Sequence, residues 1–174
     1  MNQFELDIAQ YEFDTLGFCR IKNLIYKDLL EKIKNLLDLI EKNNYTLPDT
    51  DVILGNKRED GTAFISNILD ASDYLQEIAF NQRVLDLLTI FMNADFKLNH
   101  SNAIISRSGS TYPHMGGYPI HNKAFYHSRG GRILSSLTKL VVPITNNKAE
   151  DGGFAAIKGS HKSEYPIPYP PRSS

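Results

Sequence analysis

The chain has 174 residues, 41% hydrophobic and 22% charged, which suits one globular domain and excludes a low-complexity or fibrous protein. A net charge of −1 and a pI near 6.5 argue against a dedicated nucleic-acid surface or a polybasic membrane patch. Cys19 is the only cysteine, so an intrachain disulfide and a thiolate zinc site are excluded, and no apolar run approaches the roughly 18 residues of a bilayer span.

The acidic opening, "MNQFELDIAQYEFD", lacks the basic character of a targeting peptide and predicts a cytoplasmic protein. Its apolar residues predict a helix that stops at Gly17, followed by a short strand over "GFCRI", where Cys19 is expected as a buried, inert thiol. In "YKDLLEKIKNLLDLIEKNN" the apolar positions 29, 30, 33, 36, 37 and 40 follow the spacing of an amphipathic helix, with Asn43 and Asn44 as terminators. Residues 45–61 read as a loop with a strand only weakly marked inside it. The acidic pair Asp49 and Asp51 does not make a calcium loop there, because Ile53 and Leu54 stand where a ligand and the turn glycine are needed. "DASDYLQEIAFNQRVLDLLTIFMN" predicts two short helices, with Asp70 or Ser72 as N-cap.

From Asp95 the pattern changes to antiparallel β. "FKLNHSNAIISRS", "RILSSLTKLVVPITN" and "GFAAIK" are strand-like, and "EDGG" with Asp151 is hairpin punctuation. Between the first two runs lies a loop rich in glycine, histidine and tyrosine, "GSTYPHMGGYPIHNKAFYHSRGG". No internal repeat is present. Two classes of chemistry are also missing. There is no Gly-x-Ser-x-Gly elbow and Cys19 has no neighbouring base, which argues against nucleophilic catalysis. The glycine pairs lack the strand-loop-helix frame of a phosphate-binding loop. Arg107, Arg129, Arg132 and Lys139 are either a patch for an anionic substrate or thioester or, more simply, a solvated face.

Four segments stand in order: the opening "YEFDTLGFCRIKNLIYKDLLEKIKNLL", the strand and loop "IISRSGSTYPHMGG", the strand "GRILSSLTKLVVPIT", and "EDGGFAAIKGSHKSEYP". In this order and spacing they resemble the phytanoyl-CoA dioxygenase family of Fe(II)- and 2-oxoglutarate-dependent oxygenases, with Lys158 in the place of the family's usual proline. The resemblance implies an α+β fold: N-terminal helices packed on a partial double-stranded β-helix (jelly-roll, cupin-like) of antiparallel strands. It implies one oxygenase-like domain over residues 1–164, mainly helical over 1–93 and mainly β over 94–164, with a proline-rich tail over 165–174.

The implied cofactors are Fe(II), held by two histidines and one carboxylate on one face, and 2-oxoglutarate, clamped by an arginine. The implied partner is a small-molecule substrate. Aligned through "SGSTYPHMGG", the first iron histidine is His114, and Gly116 stands at the position of the carboxylate. In halogenating relatives of this oxygenase group a small residue stands there and chloride takes the vacant place. Counting back from "GSHK" instead gives His121, with Lys123 at the carboxylate position, a poor replacement because a lysine has no lone pair to offer at neutral pH. Tyr112 and Tyr118 are candidates for the substrate pocket, and His161 is expected to be structural.

The family's second iron histidine and its clamping arginine normally come several dozen residues after "GSHK". Here thirteen residues follow His161, without a histidine and with Arg172 as their only arginine. The expectation is therefore a truncated or degenerate relative that supplies at most one of the three protein ligands, with no residue assigned as catalytic or 2-oxoglutarate-binding. Such a chain would associate as a homo-oligomer or rely on a missing C-terminal segment. A catalytically inactive binding or oligomerisation module, or a cupin-like pocket without redox chemistry, are the alternatives.

Overall fold

The computed structural model describes residues 1–93, 95–106, 125–146, 148 and 153–163, which form helices and two small antiparallel sheets, an α+β arrangement. Helix α1 (Gln3–Leu16) opens with a capping box. The Asn2 side chain accepts the Glu5 N–H and the Glu5 carboxylate accepts the Asn2 N–H, both at 2.9 Å. Two donors that a helix start leaves unpaired are satisfied in this way. The helix ends at Gly17 as predicted, in the left-handed conformation (φ +87°), with the Gly17 N–H on the Phe13 carbonyl at 3.0 Å.

The "GFCRI" segment that follows is not a strand. The carbonyls of Lys22 and Asn23 accept from the Arg83 guanidinium at 3.0 and 3.3 Å, so a side chain serves this part of the backbone. Cys19 packs, half-buried, against the core formed by α1, and burial followed by the Glu12 charge pushes its thiol pKa up to about 11, in keeping with an inert thiol.

Helix α2 (Lys27–Lys42) buries Ile33 and Ile40 on the predicted stripe and ends at Asn43. After it comes a sheet of three antiparallel strands in the order β1 (Ile53–Lys57), β2 (Ala63–Ser66), β3 (Asn102–Ile105). The β1–β2 hairpin lies inside the stretch read as mainly helical. Its turn is built by Asp60, whose carboxylate accepts the Thr62 N–H at 2.8 Å, and by Gly61 at φ +83°. Central strand β2 alternates strictly, Ala63 and Ile65 being fully buried.

The two short helices are α3 (Asp73–Ala79) and α4 (Gln82–Met92), preceded by a 3₁₀ turn at Ile68–Ala71. Neither expected residue caps α3 with its side chain. Ser72 occupies the cap position without a side-chain bond, and the Asp70 carboxylate instead accepts the Asp51 N–H at 2.6 Å, tying the β1 approach to the 3₁₀ turn. Asn81, which the sequence did not single out, caps α4 through the Arg83 N–H at 3.0 Å.

The second sheet is the hairpin β4 (Tyr126–Arg129) and β5 (Arg132–Ser135). Gly130 and Gly131 both take positive φ, +60° and +76°, as a two-residue turn that follows the strand twist requires. "GFAAIK" is not a strand: among the described residues its backbone has no ladder partner, and Phe154 and Ile157 are exposed. Among the described residues of the longer β-like runs only 102–105 and 132–135 pair, and "EDG" of the expected hairpin turn, with Asp151, lies outside the described residues.

Two apolar clusters hold these parts. Ile40, Val52, Ile65 and Ile68 join α2 to the three-stranded sheet, whereas Ala9, Phe13, Leu87, Phe91 and Ile133 join α1, α4 and the β4–β5 hairpin. The second of these places the hairpin beside the C-terminal end of α1. No helix among the described residues is long and apolar enough to cross a membrane.

Candidate functional site

His114, His121, Tyr112 and Tyr118 all lie outside the described residues, as do Gly116, Lys123 and Arg107. The structure does fix a neighbouring constellation, in which the "KGSHK" segment docks on α1. Ser160–Lys162 form a 3₁₀ turn, entered through Gly159 at φ +77°. The last turn of α1 leaves carbonyls without intrahelical partners. The docked segment satisfies two of them: the Gly159 N–H donates to Leu16 O and the His161 Nε2–H to Asp14 O, both at 3.0 Å. A carbonyl can only accept, so the Nε2 atom carries the proton and Nδ1 is the bare nitrogen. That Nδ1 is buried without a partner and faces Gly17, where a Cβ would come within 2.6 Å of it.

Asp14 is the hub. Its Oδ1 accepts the Tyr126 hydroxyl at 2.5 Å and pairs with Lys162 Nζ at 3.1 Å, and the Tyr126 ring meets the His161 imidazole edge-on at 4.4 Å between centroids. The Tyr126 hydrogen bond, seconded by Lys162 against the opposing effect of burial, holds the Asp14 carboxyl below the usual carboxylate range. Burial, and then the Asp14 carboxylate, push the Tyr126 phenol up. Both shifts keep Asp14 an anion and Tyr126 a neutral donor at neutral pH. The Lys162 ion pair is partly solvated, with side chains 41% and 33% exposed, and contributes at most about 1 kcal/mol. The charge-assisted Tyr126 bond is the stronger contact, worth about 1.5–3 kcal/mol before allowance for its partial exposure.

Burial, with the Lys162 charge as a lesser cause, lowers the His161 pKa from its ordinary 6.5. A second proton would have to sit on Nδ1, which has no acceptor. The unfolded chain thus binds this proton more readily than the folded one. The docked turn is most stable above pH 6.5 and weakens as pH falls from there through the lowered folded value. The urea midpoint of the protein is expected to drop between pH 7 and 5, and His161→Gln is expected to flatten that drop. An unchanged slope in His161→Gln would assign the dependence to other groups.

Among the described residues no three His, Cys, Asp or Glu side chains stand close enough to hold a metal ion. His161 is committed to a backbone carbonyl and Asp14 to Tyr126 and Lys162. The described residues therefore do not by themselves fit the iron that the resemblance implies, and its candidate ligands belong to the segment 107–124. The family model described as phytanoyl-CoA dioxygenase (PhyH) matches residues 13–172. The chain belongs to the phytanoyl-CoA dioxygenase family. No curated protein and no solved structure matches it.

In this phytanoyl-CoA dioxygenase family member, two of the segments that carry the sequence resemblance meet in space. The helix stop at Gly17 and the "GSHK" turn are in direct contact, although the hydrogen-bonded pair His161 and Asp14 stand 147 positions apart. The matched region begins at residue 13 and so includes Asp14, Gly17, Tyr126 and His161 as well as both candidate iron histidines. Sequence reading places Tyr126 in the histidine- and tyrosine-rich loop, as a pocket residue or a surface polar contact, but misses Asp14 and their pairing, which spans 112 positions and has no local signature. The only available hint was that a glycine stop and a Gly-Ser-His turn both needed a partner for their backbone groups.

Proposed function

We propose that the protein is a non-haem Fe(II)/2-oxoglutarate oxygenase acting on a small molecule, with His114 as its first iron histidine and His121 as the alternative. The observation that carries this reading is the family match over residues 13–172, which spans both histidines and all but the first two residues of the four resembling segments. The reaction class is consumption of O₂ and 2-oxoglutarate with release of succinate and CO₂, the substrate gaining a hydroxyl group. Halogenation is the variant that Gly116, at the usual carboxylate position, would suit. The neutral imidazole of His114 would donate its lone pair to the metal, and Tyr112 and Tyr118 would line the substrate pocket. In this reading the sheets are parts of a jelly roll, residues 1–164 form one domain followed by a proline-rich tail, and the protein is a cytoplasmic homo-oligomer.

Gly116 also favours a second reading, a catalytically inactive relative kept as a binding or oligomerisation module. Equilibrium binding of anaerobic Fe(II) in the presence of 2-oxoglutarate separates the two. The oxygenase reading predicts one iron per chain, with affinity falling at least tenfold in His114→Ala and little in His121→Ala. The reverse pattern would assign His121. Iron binding that neither substitution weakens would reject both assignments, and no iron binding would favour the inactive relative.

A further inference from the structure

From sequence alone Arg129 and Arg132 fit a solvated face most simply, and both are exposed. Their placement is more specific than that. They are directly opposed in the β4–β5 register, on either side of the Gly130–Gly131 turn, so their side chains leave the same face of the hairpin. Two like charges at opposed positions repel each other. Among the described residues neither guanidinium has an ion-pair partner. Both arginines line one wall of an open cleft of about 380 Å³, and α1 forms the other wall with Asp7, Tyr11 and Asp14.

The chemistry of the two walls differs. Nothing lies within 4 Å of either turn glycine's Cβ position, so a ligand can approach the hairpin backbone closely. On the opposite wall the Tyr11 ring is 71% exposed and offers a flat apolar surface. Asp14 is already matched by Tyr126 and Lys162, whereas among the described residues the Asp7 side chain meets only the neutral Gln3 amide, at 2.8 Å, and has no cation beside it. An anion is therefore repelled from the α1 wall and drawn to the hairpin wall. Guanidinium forks suit planar or tetrahedral oxyanions.

We propose that the cleft between α1 and the β4–β5 hairpin binds a small molecule bearing a carboxylate or phosphate, its oxyanion between Arg129 and Arg132 and its apolar body against Tyr11. The site needs no metal and stands independently of the oxygenase reading.

Calorimetric titration of the whole protein at low salt tests it, with phenyl phosphate, benzoate, inorganic phosphate and benzylamine as probes. Phenyl phosphate or benzoate is expected to bind, at least threefold more tightly than inorganic phosphate, and benzylamine is expected not to bind. The tighter of the two aromatic anions identifies the source as a phosphate or a carboxylate, and either result supports the site. The double substitution Arg129→Gln/Arg132→Gln, at exposed positions outside both apolar clusters, is expected to weaken binding at least tenfold without lowering the melting temperature. Tyr11→Ala should weaken the aromatic anions alone. Failure of both aromatic anions to bind, or binding that survives the double substitution, would overturn the proposal.

Discussion

Replacing Gly17 by alanine is expected to destabilise the protein by about 3 kcal/mol, in two separable parts. The first is backbone strain: Gly17 sits at φ +87°, and an L-residue in the left-handed region costs about 1–2 kcal/mol. The second is collision with the docked turn. The new Cβ would lie 2.6 Å from His161 Nδ1 and 2.9 Å from Cγ, so the imidazole has to move. Its displacement breaks the bond to Asp14 O, with a loss of about 1 kcal/mol, and disturbs the edge contact with Tyr126. In a chain of this size the combined effect lowers the melting temperature by about 6–12 °C. A double-mutant cycle separates the parts. In a His161→Ala background, Gly17→Ala is expected to cost only the backbone share, about 1–2 kcal/mol. Equal costs in the two backgrounds would mean that the histidine does not dock on this glycine.

Phe91→Ala is expected to cost about 3–5 kcal/mol, the range for emptying a large aromatic site in a core. Phe91 is 3% exposed, and its ring stacks on Phe13 with centroids 3.8 Å apart and planes 4° from parallel. The pair is the contact through which α4 grips α1, and Ile133 of β5 belongs to the same cluster. Truncation leaves a cavity that none of the three elements can close without giving up its other contacts. Its consequences reach further than stability. The β4–β5 hairpin is set against α1 by this cluster, so the geometry between Asp14 and Tyr126 depends on it. Phe91→Leu keeps most of the volume and is expected to cost about 1 kcal/mol. Urea unfolding measures both, and a Phe91→Ala cost below 1 kcal/mol would contradict the packing described here.

The helices were legible in the sequence because each carries its own signal. The stripe at positions 29 to 40 of α2 and the glycine stop of α1 are local patterns, and both appear where expected. The β2 strand was not legible: "AFIS" is four residues long, and only the preceding Asp60–Gly61 turn marked it. The reading of "GFCRI" and "GFAAIK" as strands failed for a related reason. Apolar alternation makes a segment able to pair, but pairing needs a neighbouring edge. The backbone just after "GFCRI" is held by the Arg83 guanidinium at the Lys22 and Asn23 carbonyls, and the residues after Ile157 turn to meet α1.

The site divides in the same way. "GSHK" was recognisable as a turn, and His161 as structural, from the resemblance. That it completes the last turn of α1 and packs on Gly17 depends on a meeting of distant segments, which no periodicity records. The family itself was legible from the order of four segments, and the match over residues 13–172 bears that out.

The most direct test of the functional reading is succinate formation from 2-oxoglutarate by the purified protein loaded anaerobically with Fe(II), with His114→Ala as control. The oxygenase reading predicts O₂-dependent succinate that falls to background in the mutant. Succinate equal in both proteins would contradict His114 as the iron histidine, and succinate absent from both would contradict the oxygenase reading.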